Sequence, residues 1–462
     1  MKVIVCGAGQ VGWQIARHLS SEANDVTVVD TNPGLVRRIT DSLDVGGATG
    51  FASHPDVLER AGARDADMII GATFSDEVNM VACQVAHSVF AVPRKIARIR
   101  AQSYLDTEWS DLFRRDHLPI DVIISPEREV AEATLRRLAA PAAFDIETFL
   151  DGRAELIGLT LGEDCAVLDT PLRQLTELFS TLRAFVVGIR RGGTLRIADS
   201  DDQLFAGDQI YLFVTAEDLA RTMEIFGKTA RQGDRVLLIG AGNVGLTVAR
   251  HLEAPNGPNA QRVRAKVIER SRERAEFAAD ALERTIVLHG DGLDMDLLEE
   301  ANISSMDALV ALSDDDKTNL LSCARAKAAG CPLTIALIND GSLAALMEPL
   351  GIDAYINPRA TTVSSILRHV RHGRVRAVYS VGDAEAEVFE AQVLGTSPIA
   401  GKRIRDTDFP EGAIIGAVLK GTRIHVPRGD TLIEEGDVLA VFALSPAVPK
   451  VEQLFRVSVD FF

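Results

Sequence analysis

Gly7-Ala8-Gly9-Gln10-Val11-Gly12 carries the clearest chemistry in the chain. The run follows a β-branched segment, Lys2–Cys6, and opens a helical stretch, Val11–Leu19. In a strand–turn–helix frame each glycine has a task. The first permits the tight turn, the second lets backbone approach a pyrophosphate, and the third lets helix and strand pack closely. The helix N-terminus then offers unpaired N–H groups and a partial positive charge to phosphate. Asp30 ends the second strand-like run. A carboxylate there accepts hydrogen bonds from a ribose 2′-hydroxyl and repels a 2′-phosphate, which favours NAD(H) or adenosine nucleotides over NADP(H).

The pattern recurs. Gly240-Ala241-Gly242-Asn243-Val244-Gly245 follows Val236–Ile239, and Glu269 takes the strand-end place of Asp30. The wider spacing before Glu269 is assigned to the turn-rich insertion Pro255-Asn256-Gly257-Pro258. Thr73 and Ser313 end the strands that come after, each just before an Asp (Asp76, Asp316) and a helical run. A hydroxyl and a carboxylate in that place read first as helix N-caps, and that is the reading for Asp76 and Asp316. Thr73 and Ser313 also face the expected crevice, so a nucleotide contact stays open for them. Arg98 and Arg100 sit two apart at a strand's C-terminal end, where an open α/β sheet binds ligands. They suit an extra phosphate, an acidic surface on a neighbouring chain, or simply solvent. The aligned residues of the second copy are Leu337 and Asn339, without that charge. Conversely, Gly290-Asp291 of the second copy is aligned with Thr49-Gly50, so an acidic contact, Asp291, is expected in one copy only.

The elements that must position these residues are written twice. Ala16-Arg17-His18-Leu19 returns as Ala249-Arg250-His251-Leu252, Asp76, Asn79 and Cys83 as Asp316, Asn319 and Cys323, and Asp121 and Pro126 as Asp353 and Pro358. Each larger repeat alternates short apolar strands with helices. In the first copy the strands are Lys2–Cys6, Val26–Val29, Met68–Ile70, Ile96–Ile99 and Val122–Ile124. Such alternation predicts a doubly wound parallel sheet covered on both faces. A smaller α+β module of three or four strands and a final helix follows each copy. The expected boundaries are 1–140 and 231–372 for the Rossmann-like domains, and 141–230 and 373–462 for the small modules, with Pro141 and Gly227–Gly233 as junctions.

Composition narrows the function. The 462 residues carry 49 Lys+Arg against 66 Asp+Glu, a net charge of −17, which disfavours bulk binding of nucleic acid or anionic lipid. No apolar run approaches the roughly 18 residues of a membrane span, and the N-terminus runs straight into the glycine turn, without the features of a signal peptide. A cytoplasmic protein is expected. The 5 cysteines are scattered and predicted to be buried and reduced. The 9 histidines form no spaced metal set, and no nucleophile motif appears, so neither catalytic nor metal-binding residues are assigned. Arg368, Arg371, Arg374 and Arg376 form either a solvated helix end or a docking patch. The competing classes are a soluble NAD-dependent oxidoreductase and a scaffold with degenerate sites.

The order of motifs resembles the regulator-of-potassium-conductance (RCK) domain family in its tandem form. The resemblance rests on the two glycine turns with their strand-end acids, on Ala66–Asn79 (A-D-x-I-I-x-A-T-x-x-D-x-x-N), on Ile96-Ala97-Arg98-Ile99-Arg100, and on the small modules. It spans essentially the whole chain. It implies an α/β fold of two tandem units, each a Rossmann-like domain followed by a small RCK C-terminal domain. It further implies a non-catalytic subunit, peripheral on the inner face of the membrane. Such a subunit assembles as a homotetramer, a ring of eight RCK units, beneath a membrane potassium transporter, and binds NAD(H) and ATP or ADP. By the same resemblance Gly7, Gly9, Gly12, Asp30, Arg98 and Arg100 serve a first site, and Gly240, Gly242, Gly245, Glu269 and Asp291 a second.

Overall fold

The computed structural model describes residues 1–21, 24–140, 142–179, 181–228, 234–254, 263–347, 349–370, 375–381 and 385–455. The first Rossmann-like domain runs β1 (Lys2–Cys6), α1 (Gln10–Ser21), β2 (Asp25–Asp30), α2 (Pro33–Ser42), β3 (Gly46–Thr49), α3 (Pro55–Arg60), β4 (Met68–Gly71), α4 (Asp76–Phe90), β5 (Arg94–Arg98), β6 (Val122–Ile124) and α5 (Pro126–Ala139). The first small module adds β7 (Ala143–Phe149), β8 (Ala154–Thr160), α6 (Leu172–Leu178), β9 (Ala184–Arg191), β10 (Thr194–Ile197), β11 (Gln209–Thr215) and α7 (Leu219–Ile225). The second copy runs β12 (Arg235–Ile239), α8 (Asn243–Glu253), β13 (Arg264–Glu269), α9 (Arg272–Ala281), β14 (Ile286–His289), α10 (Met295–Glu300), β15 (Ala308–Ala311), α11 (Asp316–Ala328), β16 (Leu333–Leu337), β17 (Ala354–Ile356) and α12 (Pro358–Val370). Its module has β18 (Val375–Val381), β19 (Ala386–Gln392), β20 (Ala413–Lys420), β21 (Arg423–His425), β22 (Val438–Leu444) and α13 (Val448–Gln453).

The chain divides into two compact units, and each unit draws on both halves of the sequence. Residues 1–135 and 233–370 form one, and residues 136–232 and 371–462 the other. In the first unit the two six-stranded parallel sheets have orders β3-β2-β1-β4-β5-β6 and β14-β13-β12-β15-β16-β17. Both reverse direction between the glycine-turn strand and the next one in the order, β1/β4 and β12/β15, which opens a crevice at the C-terminal strand ends. The central strands are apolar because helices cover both faces: Val3, Ile4, Val5 and Cys6 are all buried, as are Val236, Leu237, Leu238 and Ile239. Helix α12 of the second copy packs on the first domain, where Val363, Ile366 and Val370 share a core with Ile15 and Leu19.

In the second unit the small sheets are antiparallel, with the matching orders β10-β9-β11-β8-β7 and β21-β20-β22-β19-β18. Five strands each exceed the three or four expected. Their inner faces share one core, which includes Leu156, Val187, Phe213, Val388, Ala417 and Phe442. Each sheet keeps a glycine where the other inserts a ring: Gly188 lies against Phe442, and Gly416 against Phe213.

Strand β3 was not among the expected strands. Gly46-Gly47 has no apolar alternation to read, yet residues 46–49 pair with Thr27–Asp30. All five cysteines are free and buried, and burial pushes the thiols of Cys6, Cys83 and Cys323 well above their usual range. Pro141, residues 229–233, the insertion at 255–262, and Arg371 and Arg374 of the arginine cluster lie outside the described residues. Among the described residues no helix is long and apolar enough to cross a membrane.

Candidate functional site

Both glycine turns form, and in the same way. Gly7 and Gly240 adopt φ of +112° and +99°, a backbone state L side chains rarely take. Gly7 N donates to Val29 O at 2.7 Å and Gly240 N to Ile268 O at 2.8 Å. A methyl group at Gly12 would collide with the Gly7 carbonyl, and one at Gly245 with that of Gly240. Gly9 and Gly242 face open space, with nothing within 4 Å of a Cβ placed there. The strand-end acids brace the turns from the neighbouring strand. Ala8 N donates to Asp30 Oδ2 at 2.7 Å, and Ala241 N to Glu269 Oε2 at 2.6 Å. The remaining oxygens accept from Asn32 N (2.8 Å) and Ser271 N (2.7 Å). The longer Glu269 thus does the same work as Asp30.

Past the turns, the residues expected to be caps have a different task. Ser75 caps α4 by accepting from Val78 N, and Asp315 caps α11 by accepting from Lys317 N and Thr318 N. Asp76 instead reaches across to the loop after β5. Its Oδ2 accepts from Arg100 N at 2.9 Å and Ala101 N at 2.8 Å. Asp316 repeats this, accepting from Asn339 N and Asp340 N at 2.9 and 2.8 Å. Asn79 completes the clamp: Oδ1 accepts from Thr73 N and Oγ1, and Nδ2 donates to Arg98 O at 2.9 Å. Asn319 ties Ser313 to Leu337 O in the same manner. The cap reading of Asp76 and Asp316 is therefore corrected. A carboxylate at a helix start has a local and a distant set of N–H groups to choose from, and here the distant set wins.

The alignment of Thr49-Gly50 with Gly290-Asp291 is corrected as well. Thr49 pairs with Asp30, and His289 with Glu269. Gly50 N donates to Asp30 O and Gly290 N to Glu269 O, both at 2.9 Å. Gly50 therefore matches Gly290, and Phe51 stands where the second copy has Asp291. The absence of an acid from the first copy is unchanged.

A cavity of about 600 Å³ joins the two copies within the first unit. One wall is the second crevice: Gly240, Gly242, Asn243, Val244, Glu269, Asp291 and Ser313. The other belongs to the first copy and includes Val11, Arg98, Arg100 and Glu127. Arg98 and Arg100 thus face the glycine turn of the second copy. Arg100 pairs with Glu127 at 3.3 Å. Arg98 Nε and Glu127 Oε2 are buried without a hydrogen-bond partner among the described residues. Burial, and then the neighbouring Arg100, push the Arg98 guanidinium below its ordinary value. An under-compensated cation beside a phosphate-sized turn is a place for an anion.

Sequence reasoning did not assign Glu127, Arg270, Arg274 or Arg359, which also line the cavity. The repeat of Pro126 as Pro358 marks the helix starts that bring Glu127 and Arg359 in, and was the available signal. Of the arginine cluster, Arg368 pairs with Glu129 of α5 at 3.0 Å, so it is not a solvated helix end.

Two family models match the chain in tandem. The TrkA-N domain matches residues 3–126 and 236–358, and the TrkA-C domain residues 156–227 and 388–456. The chain is 49% identical over 462 residues to the Trk system potassium uptake protein TrkA of Azorhizobium caulinodans, with 100% of both chains covered. It is 36% identical over 466 residues to the protein of that name from Halomonas elongata, again with 100% of both covered. Among solved structures, the GsuK RCK domain aligns with a TM-score of 0.57 and 17% identity, over 98% of this chain and 94% of that one. The GsuK channel bound to NAD aligns with a TM-score of 0.58 and 17% identity, over 98% and 78%. The expected architecture, two Rossmann-like domains each followed by a small RCK module, is borne out by these matches and by the sheets.

Proposed function

The chain belongs to the TrkA family of Trk system potassium uptake proteins, regulatory components of potassium transport, and we propose that it regulates by sensing nucleotides. It binds NAD(H) and ATP or ADP in its two crevices and acts by binding, not by catalysis. It sits on the cytoplasmic face beneath a Trk-type potassium transporter, as a homotetramer that presents a ring of eight RCK units.

The observation that carries this reading is the cavity. A glycine turn with a strand-end acid forms one wall, and Arg98 and Arg100 of the other copy form the opposite one. A nucleotide whose phosphates rest on the second turn has its terminal phosphate within the province of these arginines. ATP and ADP differ by that phosphate. A ligand moves a conformational equilibrium only by the difference in its affinity for the two states. If the two domains draw together more closely around ATP than around ADP, the arginines convert phosphate number into domain spacing. The NAD-bound GsuK neighbour supports a nucleotide at this fold.

The test is equilibrium titration of the purified chain with NADH, ADP and ATP, with NADH absorbance followed for turnover. Up to two sites per chain and no NADH consumption are expected. Charge-assisted hydrogen bonds are worth about 1.5–3 kcal/mol each, so Arg98→Ala and Arg100→Ala should each reduce the preference for ATP over ADP by roughly 10- to 100-fold. An unchanged preference removes the arginines from the mechanism. Steady NADH oxidation would instead favour an oxidoreductase, and no binding at all a scaffold.

A further inference from the structure

The two crevices are not equivalent at their mouths. In the first copy two large apolar side chains stand in solvent, Phe51 at 54% and Phe74 at 84% exposure. Each follows directly on a residue of the crevice. Gly50, before Phe51, donates to Asp30 O at 2.9 Å. Thr73, before Phe74, lies against Gly7. The same hydrogen bonds in the second copy place Asp291 and Asp314 at these two positions. Single exposed apolar residues need no explanation. Two of them at matched loop tips on either side of a glycine turn, both carboxylates in the sister copy, form a pattern.

We propose that Phe51 and Phe74 are ring-stacking residues that make the first crevice the dinucleotide site, leaving the second crevice to mononucleotides. This rests on the nucleotide-sensing reading above. A dinucleotide carries a planar ring at each end. Asp30, as the ribose acceptor, sets the adenosine end on the β2–β3 side, where Phe51 follows β3. The other ring then falls toward β4, where Phe74 follows Thr73. The order β3-β2-β1-β4 puts three strand spacings between these loops, or roughly 14 Å. Phe74 is already in a stack, with the Arg100 guanidinium 5.4 Å from its ring centroid, and Phe51 lies 5.2 Å from the His54 ring. Rings of this kind hold heterocycles by stacking. Carboxylates at 291 and 314 offer no ring face.

ADP-ribose lacks the nicotinamide ring of NADH, so the pair separates the two phenylalanines. Calorimetric titration of the full chain with each should show NADH binding more tightly than ADP-ribose. Phe74→Ala should lower that ratio by about 10-fold and leave ADP-ribose unchanged, and Phe51→Ala should weaken both ligands by about 10-fold. Phe277→Ala, at an exposed ring of α9 that does not line the cavity, should leave the ratio as it is. Both rings are exposed, so thermal midpoints should hold. An unaltered ratio in Phe74→Ala, or an altered oligomeric mass with unaltered NADH affinity, overturns the proposal and assigns the rings to a protein contact. If the wild-type chain binds ATP while the phenylalanine variants bind NADH normally, this proposal alone is lost. If the wild-type chain binds none of NADH, ADP-ribose and ATP, the nucleotide-sensing reading goes too.

Discussion

Gly12 and Gly9 are three residues apart and should respond to alanine in opposite ways. At Gly12 a Cβ collides with the Gly7 carbonyl, so Gly12→Ala must open the turn or push α1 off the sheet. Overpacking of that kind costs about 1–3 kcal/mol, and differential scanning calorimetry should show a lowered thermal midpoint. Gly9 faces open space. Gly9→Ala should leave the midpoint alone and weaken NADH, since the methyl occupies the space the phosphates need. Equal loss of stability in both variants would mean that the turn is a packing device only. The glycine turns were legible because their spacing is local and each glycine answers to a neighbour within a few residues. Asp76 was not, because its partners, Arg100 N and Ala101 N, are more than twenty residues away. Its role yields a paired prediction. Asp76→Asn and Asp316→Asn each weaken an equivalent clamp and should lower stability by a similar amount, about 1–3 kcal/mol. Only Asp76→Asn should also erode ATP-over-ADP preference, because only the first clamp holds an arginine-bearing loop; the second presents Leu337 and Asn339.

Elements were legible in proportion to their burial. Strands such as β1 and β12 are continuous apolar runs and announce themselves, whereas β3 is Gly46-Gly47-Ala48-Thr49 and takes its place only by pairing with β2. The small modules were under-read for a similar reason: β10 and β21 are short edge strands of mixed polarity, defined by their hairpin partners. Nor does the sequence reveal which side chains meet between the two small sheets. Asp145 of β7 accepts from the Tyr379 hydroxyl of β18 in a part-buried setting. Burial raises the Asp145 carboxyl above its ordinary range, and the Tyr379 hydrogen bond opposes this. The folded chain therefore holds the proton at pH values where the unfolded chain has released it. Through that window the unfolded state binds fewer protons than the folded one, so stability from this group falls as pH rises. Asp145→Asn keeps an acceptor for Tyr379 and never bears the charge. Its midpoint should exceed the wild type's near pH 8, and the difference should shrink toward zero at roughly pH 3, below the ordinary aspartate value, where both states are largely protonated. A difference independent of pH would show that the carboxylate charge is not the cause.

At the scale of the whole molecule, the tandem repeat does not make two independent halves. Each compact unit takes one domain from each copy. The first domain buries Val363, Ile366 and Val370 of α12 in its own core, and Arg368 of the same helix pairs with Glu129. The small sheets share a core in which Gly188 makes room for Phe442 and Gly416 for Phe213. A first half on its own could cover these faces only by pairing with a second first half. The registers show why that is a poor substitute. Val381 and Phe149 are matched at the ends of β18 and β7, through their pairing with Ala386 and Ala154, which puts Glu147 where Tyr379 stands. Self-pairing would then bring the buried Glu147 toward the part-buried Asp145, and like charges held away from water repel. On the helix side, the match of Pro126 to Pro358 puts Thr134 at the place of Ile366, a hydroxyl in an apolar core. The duplicated copies have thus diverged toward each other and away from themselves, as discrimination between partners requires. Fragments 1–232 and 233–462, expressed together, should co-purify at one to one and recover the wild-type thermal midpoint. Each expressed alone should be insoluble or unfold at a clearly lower temperature by scanning calorimetry. Two separately expressed, monomeric halves with wild-type midpoints would mean that the shared cores contribute little. The nucleotide cavity would then have to be rebuilt from contacts between separate chains.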